Sequence, residues 1–238
     1  MNGFPFAIVG FDLDGTLIDT AGDLTAAVNH ALSLAARSPL TEAEVRPMIG
    51  LGAQHMLEQG FAATGGVPGG DFERLYCELL RFYEAHIAVH SRPYPGVIAA
   101  LDRFDALGVK TAVVTNKRED MACKLLSALG LAERMATIIG GDTLGPDKAK
   151  PSPAPILAMI ERCGGGRAAF VGDSIYDVMA ANGAGVTSVA VSFGFLDRPV
   201  QELGADHVID HYDELVPLLR ELWPSPSGEG SETYELVR

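Results

Sequence analysis

The sequence predicts an α/β protein: a doubly wound parallel sheet with a helical module inserted near its start. Three observations carry this reading. Short apolar runs alternate with longer segments of helical period, and each run is too short to be a helix of its own. One connection, from the first strand to the second, is about 98 residues long, where a simple crossover needs only about a dozen.

The apolar runs at 7–11, 110–115, 137–139, 168–171 and 188–191 read as strands. Helical patterns follow at 97–107, 118–129, 154–162 and 174–182, and the alternation implies parallel strands joined by crossover helices. Sheets of this kind bind ligands beyond the carboxyl ends of their strands. Inside the long connection, helices are read at 21–36, 53–62 and 72–89, joined by Gly- and Pro-containing turns at 50–52 and 64–70. The string PYPG at 93–96 marks the return to the sheet, since prolines and a glycine stop one helix before the next begins. The expected division is residues 1–18 with 92–223 as the sheet unit and 19–91 as the helical module. Residues 224–238, rich in Ser, Gly, Pro and Glu and without periodicity, read as a disordered tail.

The composition excludes several classes of partner. A formal charge of −13, with no cluster of Lys and Arg among aromatics, argues against nucleic acid and against anionic membranes. The apolar runs stay well below the ~18 residues that a membrane span requires. Three widely separated cysteines, with no CxxC pair, give neither a disulfide framework nor a zinc site and fit a reducing cytoplasm. No signal peptide is readable at the amino terminus.

Four segments carry chemistry. In FDLDGT, Asp12 and Asp14 follow the first strand directly, where a period of two can turn both toward one site. Such a pair can divide labour, one ionised oxygen attacking while the other carboxyl donates a proton to a leaving group. Thr115 and Asn116 close the second strand just before a helix, and a hydroxyl, an amide and free helix N–H groups make a phosphate cradle. Lys150 precedes Pro151, which disfavours helical backbone at the lysine and fixes where it sits. In GDSIYD, Asp173 and Asp177 lie four residues apart on one helical face. Taken singly, these residues have plain structural explanations: aspartates are common at turns, Thr, Asn, Asp and Ser cap helices, and a lysine is usually a solvated charge. Together, Asp12, Asp14, Asp173 and Asp177 at one sheet edge would repel one another and a phosphate dianion, so a cation is expected among them. The candidate ligands are hard oxygens with no local His or Cys, which favours Mg²⁺.

In this order, and with the insertion after the first, the four segments resemble the motifs of the haloacid dehalogenase superfamily, in its C1-capped group. The resemblance covers about residues 6–215. It implies a Rossmann-like core with a helical cap domain, and a hydrolase in which Asp12 is a nucleophile forming an aspartyl-phosphate. Asp14 would be general acid and then base, and Thr115 and Lys150 would hold the phosphoryl oxygens. Mg²⁺ would be bound by the Asp12 carboxylate, the Asp14 backbone carbonyl and Asp173, with Asp177 in support. The dehalogenases proper lack the second aspartate, so Asp14 argues against dehalogenation. FDLDGTLIDTAGDL, VRPMIGLGAQ at 45–54, GGDTLGPDKAKPSPAP at 140–155 and GDSIYDVMAANGAG at 172–185 resemble the superfamily's phosphoglycolate phosphatases. They imply a small phosphorylated metabolite, 2-phosphoglycolate, as substrate. Relatives acting on sugar phosphates or pyrophosphate share much of the pattern. A phosphomutase would share the aspartyl-phosphate, and a non-catalytic phosphate sensor would have no use for Asp14. In the cap, Gly50 and Gly52 flank a turn that brings backbone N–H groups toward substrate, and Arg46 is the candidate partner for a substrate carboxylate.

Overall fold

The computed structural model describes residues 4–222 except 68, 146 and 197; the tail expected at 224–238 lies outside the described residues. A six-stranded parallel sheet is built from β1 (Ile8–Phe11), β4 (Lys110–Val114), β5 (Ile138–Ile139), β6 (Ala168–Gly172), β7 (Thr187–Val191) and β8 (His207–Ile209), in the order β5-β4-β1-β6-β7-β8. Strand β1 is wholly buried and reads as a continuous apolar run because helices cover both faces of the sheet. It pairs with β4 on one side and β6 on the other, with Phe11 opposite Val113 and Val171. That register brings the residues following these three strands, Asp12, Thr115 and Asp173, to neighbouring positions at the carboxyl edge. The strand order runs outward from β1 in both directions, so this edge is also where the topology switches.

The sheet is covered by α5 (Val97–Leu107), α6 (Glu119–Ala128), α7 (Ala154–Arg162), α8 (Ile175–Ala184) and α9 (Leu215–Glu221). Helix α5 is bounded at both ends by left-handed glycines, Gly96 and Gly108. Its buried Phe104 meets Phe4 and Phe11 at ring separations of 6.1 and 6.3 Å.

Between β1 and β4 the chain passes through a two-residue antiparallel pair, β2 (Ile18–Asp19) with β3 (Arg92–Pro93). The helices α1 (Ala21–Leu34), α2 (Glu42–Val45), α3 (Ala53–Ala63) and α4 (Phe72–Ala85) lie between these two strands in sequence, with α1 packed on α3 and α4. Buried Asp23 at the start of α1 accepts hydrogen bonds from the His90 and Ser91 amides, each at 2.9 Å, and from the Ser91 hydroxyl at 2.6 Å. Its burial is thereby compensated, and the outgoing and returning segments are tied together beside β2 and β3.

Helix α1 stops two residues earlier than the apolar period implies, because Ala36 takes a positive φ and the Arg37 amide bonds back to the Leu32 carbonyl. Helix α4 ends at Ala85 rather than 89, with His86 as its cap. The elements after 191, β8 and α9, have no counterpart in the sequence reading, since three and seven residues are too few to show a period. They matter for the site: Tyr212, fully buried beside Phe11, donates its hydroxyl at 2.9 Å to the carbonyl of Thr16 in the loop after β1. Tyr212→Phe leaves that carbonyl without its buried donor and should lower Tm by roughly 2–6 °C, given a cost of about 1–2 kcal/mol. An unchanged melting curve would show that the loop after β1 holds its position without this anchor.

Candidate active site

At the carboxyl edge of the sheet, Asp12, Asp173 and Asp177 are buried, with carboxylate oxygens within 4.8 Å of one another. Each is placed by a strand end: Asp12 follows β1, Asp173 follows β6, and Asp177 lies in the first turn of α8. Ser174 caps α8 and forms a reciprocal capping box with Asp177. Asp177 is therefore both the capping acid of its helix and a member of the charged cluster. One carboxylate oxygen accepts from the Ser174 amide and hydroxyl at 3.0 and 2.6 Å, and the other receives Lys150 Nζ at 2.5 Å.

Lys150 is the counter-charge. Its ammonium lies 2.7 Å from Asp12 Oδ1 and 2.5 Å from Asp177 Oδ1, and it is 4% exposed. Burial alone would lower its pKa, but Asp12 and Asp177 outweigh burial and raise it, so the group stays charged. Asp12 is pushed up to about 6, first by desolvation and then by Asp177, with Lys150 opposing. Asp173 is raised well above the carboxylate range by desolvation and by the neighbouring Asp12 and Asp177. It is held by the Phe195 amide at 2.6 Å and the Thr16 hydroxyl at 3.3 Å.

Two glycines permit this crowding. A Cβ on Gly172 would overlap the Asp177 side chain, and one on Gly194 would overlap Asp173 and the Gly15 carbonyl. Three carboxylates against one ammonium leave two negative charges in excess when all are ionised. An all-oxygen donor set with that excess fits a hard divalent cation.

Asp14 stands apart from this cluster. Its carboxylate accepts from the Thr20 hydroxyl at 2.7 Å and pairs with Lys117 Nζ at 2.8 Å. Asp12, Asp14 and Thr115 line a cavity of about 230 Å³, whose other walls include Ile49–Gln54, Leu79 and Tyr83 from the inserted helices. Asp12 is common to the cavity and the acidic cluster, whereas Asp173 and Asp177 are not among the cavity-lining residues. Thr115 is buried and its hydroxyl accepts from the Lys117 amide at 3.2 Å. Asn116 bridges the two parts of the fold: its amide nitrogen donates to the Gly50 carbonyl at 3.0 Å and the Lys150 carbonyl at 3.1 Å, while its buried Oδ1 has no partner among the described residues.

Arg46 is placed beside the cavity and is already ion-paired. Arg46 does not line the cavity; its guanidinium is taken up by Asp19 at 3.0 Å and Glu42 at 3.1 Å, and it lies 5.0 Å over the Phe195 ring. The i,i+4 spacing to Glu42 and the position of Asp19 on β2 hold it on the outside of the site. Sequence reasoning did not find Lys117, Thr16, Thr20, Tyr83 or the Phe195 amide. Lys117 directly follows Thr115 and Asn116 and had a local signal; Tyr83 lies on an unremarkable amphipathic helix and had none.

Residues 9–191 match the haloacid dehalogenase-like hydrolase family. The chain is 43% identical over 220 residues to phosphoglycolate phosphatase of Agrobacterium fabrum, covering 91% of this chain and 93% of that one. It is 42% identical over 211 residues to the phosphoglycolate phosphatase of Caulobacter vibrioides, covering 87% of each. A crystal structure of a predicted phosphoglycolate phosphatase from Haemophilus somnus superposes with a TM-score of 0.84 at 29% identity, covering 90% of this chain and 98% of that one.

Removing Lys150 would leave Asp12 and Asp177 buried without their cation. Lys150→Met, melted in chelator, should lose about 3–5 kcal/mol of stability relative to the parent protein. Equal stability would mean that the carboxylates do not depend on the ammonium.

Proposed function

The chain belongs to the haloacid dehalogenase-like hydrolases, and on that premise we propose that it hydrolyses 2-phosphoglycolate to glycolate and inorganic phosphate with Asp12 as nucleophile. The observation that carries this reading is the meeting of the acidic cluster and the cavity at Asp12. A carboxylate there faces a space large enough for a small metabolite, below the ~300 Å³ at which drug-sized sites begin. High similarity to phosphoglycolate phosphatases over nearly the whole chain supports 2-phosphoglycolate as that metabolite.

In this scheme an Asp12 oxygen attacks phosphorus in line, an Asp12–phosphorus bond forms and the ester P–O bond breaks. The proton of the Asp14 carboxyl passes to the departing glycolate oxygen. Asp14, now a carboxylate, takes a proton from water, whose oxygen attacks the aspartyl-phosphate and returns Asp12 and free phosphate. Thr115 and Lys150 hold phosphoryl oxygens, Asn116 keeps the turn at Gly50 seated over the site, and Thr20 orients Asp14. Mg²⁺ would be held by the carboxylates of Asp12 and Asp173 and the carbonyl of Asp14, with Asp177 behind, and when bound it neutralises charge on the phosphoryl group. The helices of residues 19–91 act as the cap that keeps bulk water from the reacting atoms. No helix among the described residues is long and apolar enough to cross a membrane, and the free cysteines, one of them exposed, suit a reducing compartment such as the cytoplasm.

Phosphate release from a panel of phosphorylated metabolites should give the highest kcat/KM with 2-phosphoglycolate. Activity should disappear in EDTA and return with Mg²⁺, and Asp12→Asn should abolish it. A sugar phosphate as the best substrate would reject the substrate assignment; full turnover in chelator would reject the metal.

A further inference from the structure

Arg46 is engaged by Asp19 and Glu42, and the cavity itself offers other partners for a substrate carboxylate. Among the described residues lining the cavity, two are cationic. Arg118 is about half exposed and paired with Asp120 at 2.8 Å. Lys117 is buried, with a side chain only 8% exposed, and among the described residues its ion-pair partner is Asp14. An ammonium has three N–H donors, so the pair with Asp14 leaves Lys117 with donors to spare. Its Nζ also lies 4.7 Å from the centre of the Tyr83 ring. Tyr83, on α4, is 3% exposed and lines the same cavity; among the described residues its hydroxyl has no partner at hydrogen-bonding geometry, although it interacts electrostatically with Lys117. A buried hydroxyl left unpaired is costly and calls for an explanation.

We propose that Lys117 and Tyr83 together form the subsite that reads the substrate's carboxylate, and so set specificity within the reaction proposed above, on which this inference rests. Stereochemistry places the group there. The Asp14 carboxyl delivers its proton to the ester oxygen, and in a 2-phospho-carboxylic acid a single methylene separates that oxygen from the carboxylate. The cation that touches Asp14 is therefore the one the carboxylate meets. Lys117 then lies between two carboxylates, as Lys150 lies between Asp12 and Asp177. Tyr83 supplies a neutral donor from the inserted helices, so a carboxylated substrate links cap to core through its own oxygens. A phosphomonoester without a carboxylate would leave Lys117 on Asp14 alone and Tyr83 unpaired.

The test compares 2-phosphoglycolate with 2-hydroxyethyl phosphate, in which a hydroxymethyl group replaces the carboxylate, in the parent protein, Lys117→Met and Tyr83→Phe. The parent should prefer phosphoglycolate. Lys117→Met should lower kcat/KM for phosphoglycolate roughly 10–100-fold more than for the analogue, as expected for loss of a charge-assisted hydrogen bond. Tyr83→Phe, which keeps the ring and its packing, should show a selective loss of about 2–10-fold. Equal losses on the two substrates would overturn the proposal, because a residue that only orients Asp14 slows both alike. Unchanged kinetics in Tyr83→Phe would overturn the role of its hydroxyl, and this variant decides the matter if Lys117→Met does not fold. A parent protein indifferent to the carboxylate would instead reject the substrate assignment itself.

Discussion

Everything at the carboxyl edge of the sheet depends on one buried ammonium, that of Lys150, placed between Asp12 and Asp177. Three carboxylates packed within 4.8 Å of one another in a desolvated site would otherwise repel or take up protons. Burial raises Asp12 and Asp173, and Lys150 works against that rise in both. The cluster thus stays electrostatically unsatisfied, which is a poor way to stabilise a fold and a suitable way to prepare a site for a cation and a phosphoryl group. The core offsets the strain with full burial of β1 and β6 and with the Ser174–Asp177 capping box.

A second buried ammonium, Lys117, organises the cavity side as Lys150 organises the acidic cluster. The two pairs divide the aspartates: Asp12 and Asp177 belong to Lys150, and Asp14 to Lys117. Asp12 and Asp14 thus each have their own counter-ion and occupy different electrostatic surroundings although only two residues apart in sequence, as the proposed division into nucleophile and acid requires. Asn116 lies between the lysines in both senses. It precedes Lys117 in the chain, and its amide reaches the Lys150 carbonyl and the turn at Gly50 at once.

The inserted helices share one hydrophobic cluster with the sheet unit and are also tied to it by specific polar contacts. The β2–β3 pair carries both crossings, Asp23 binds the returning segment, and Arg46 bridges Asp19 and Glu42 while stacking over Phe195. Arg46 thus belongs to the junction beside the site. From the other end of the chain, Tyr212 reaches the Thr16 carbonyl and so steadies the loop that carries Asp14.

The fold class, the order of the motifs and the edge on which they gather were legible in the sequence, because each depends on local pattern: apolar runs of strand length, helices between them, and reactive residues at strand ends. Asp12, Thr115 and Asp173 needed only the rule that parallel strands present their carboxyl ends together. Lys150 was legible as a member of the site, but the ion pairs it makes there were not. Lys150 meets Asp12 across 138 residues and Asp177 across 27, and no periodicity carries information over such intervals. Arg46 is ion-paired in the fold, and Lys117, which the sequence reading did not single out, is buried against Asp14 and Tyr83. Secondary structure follows from neighbours along the chain, but Coulomb interactions and desolvation depend on distance in space, and only the packing of the inserted helices against the sheet determined which charges became neighbours there.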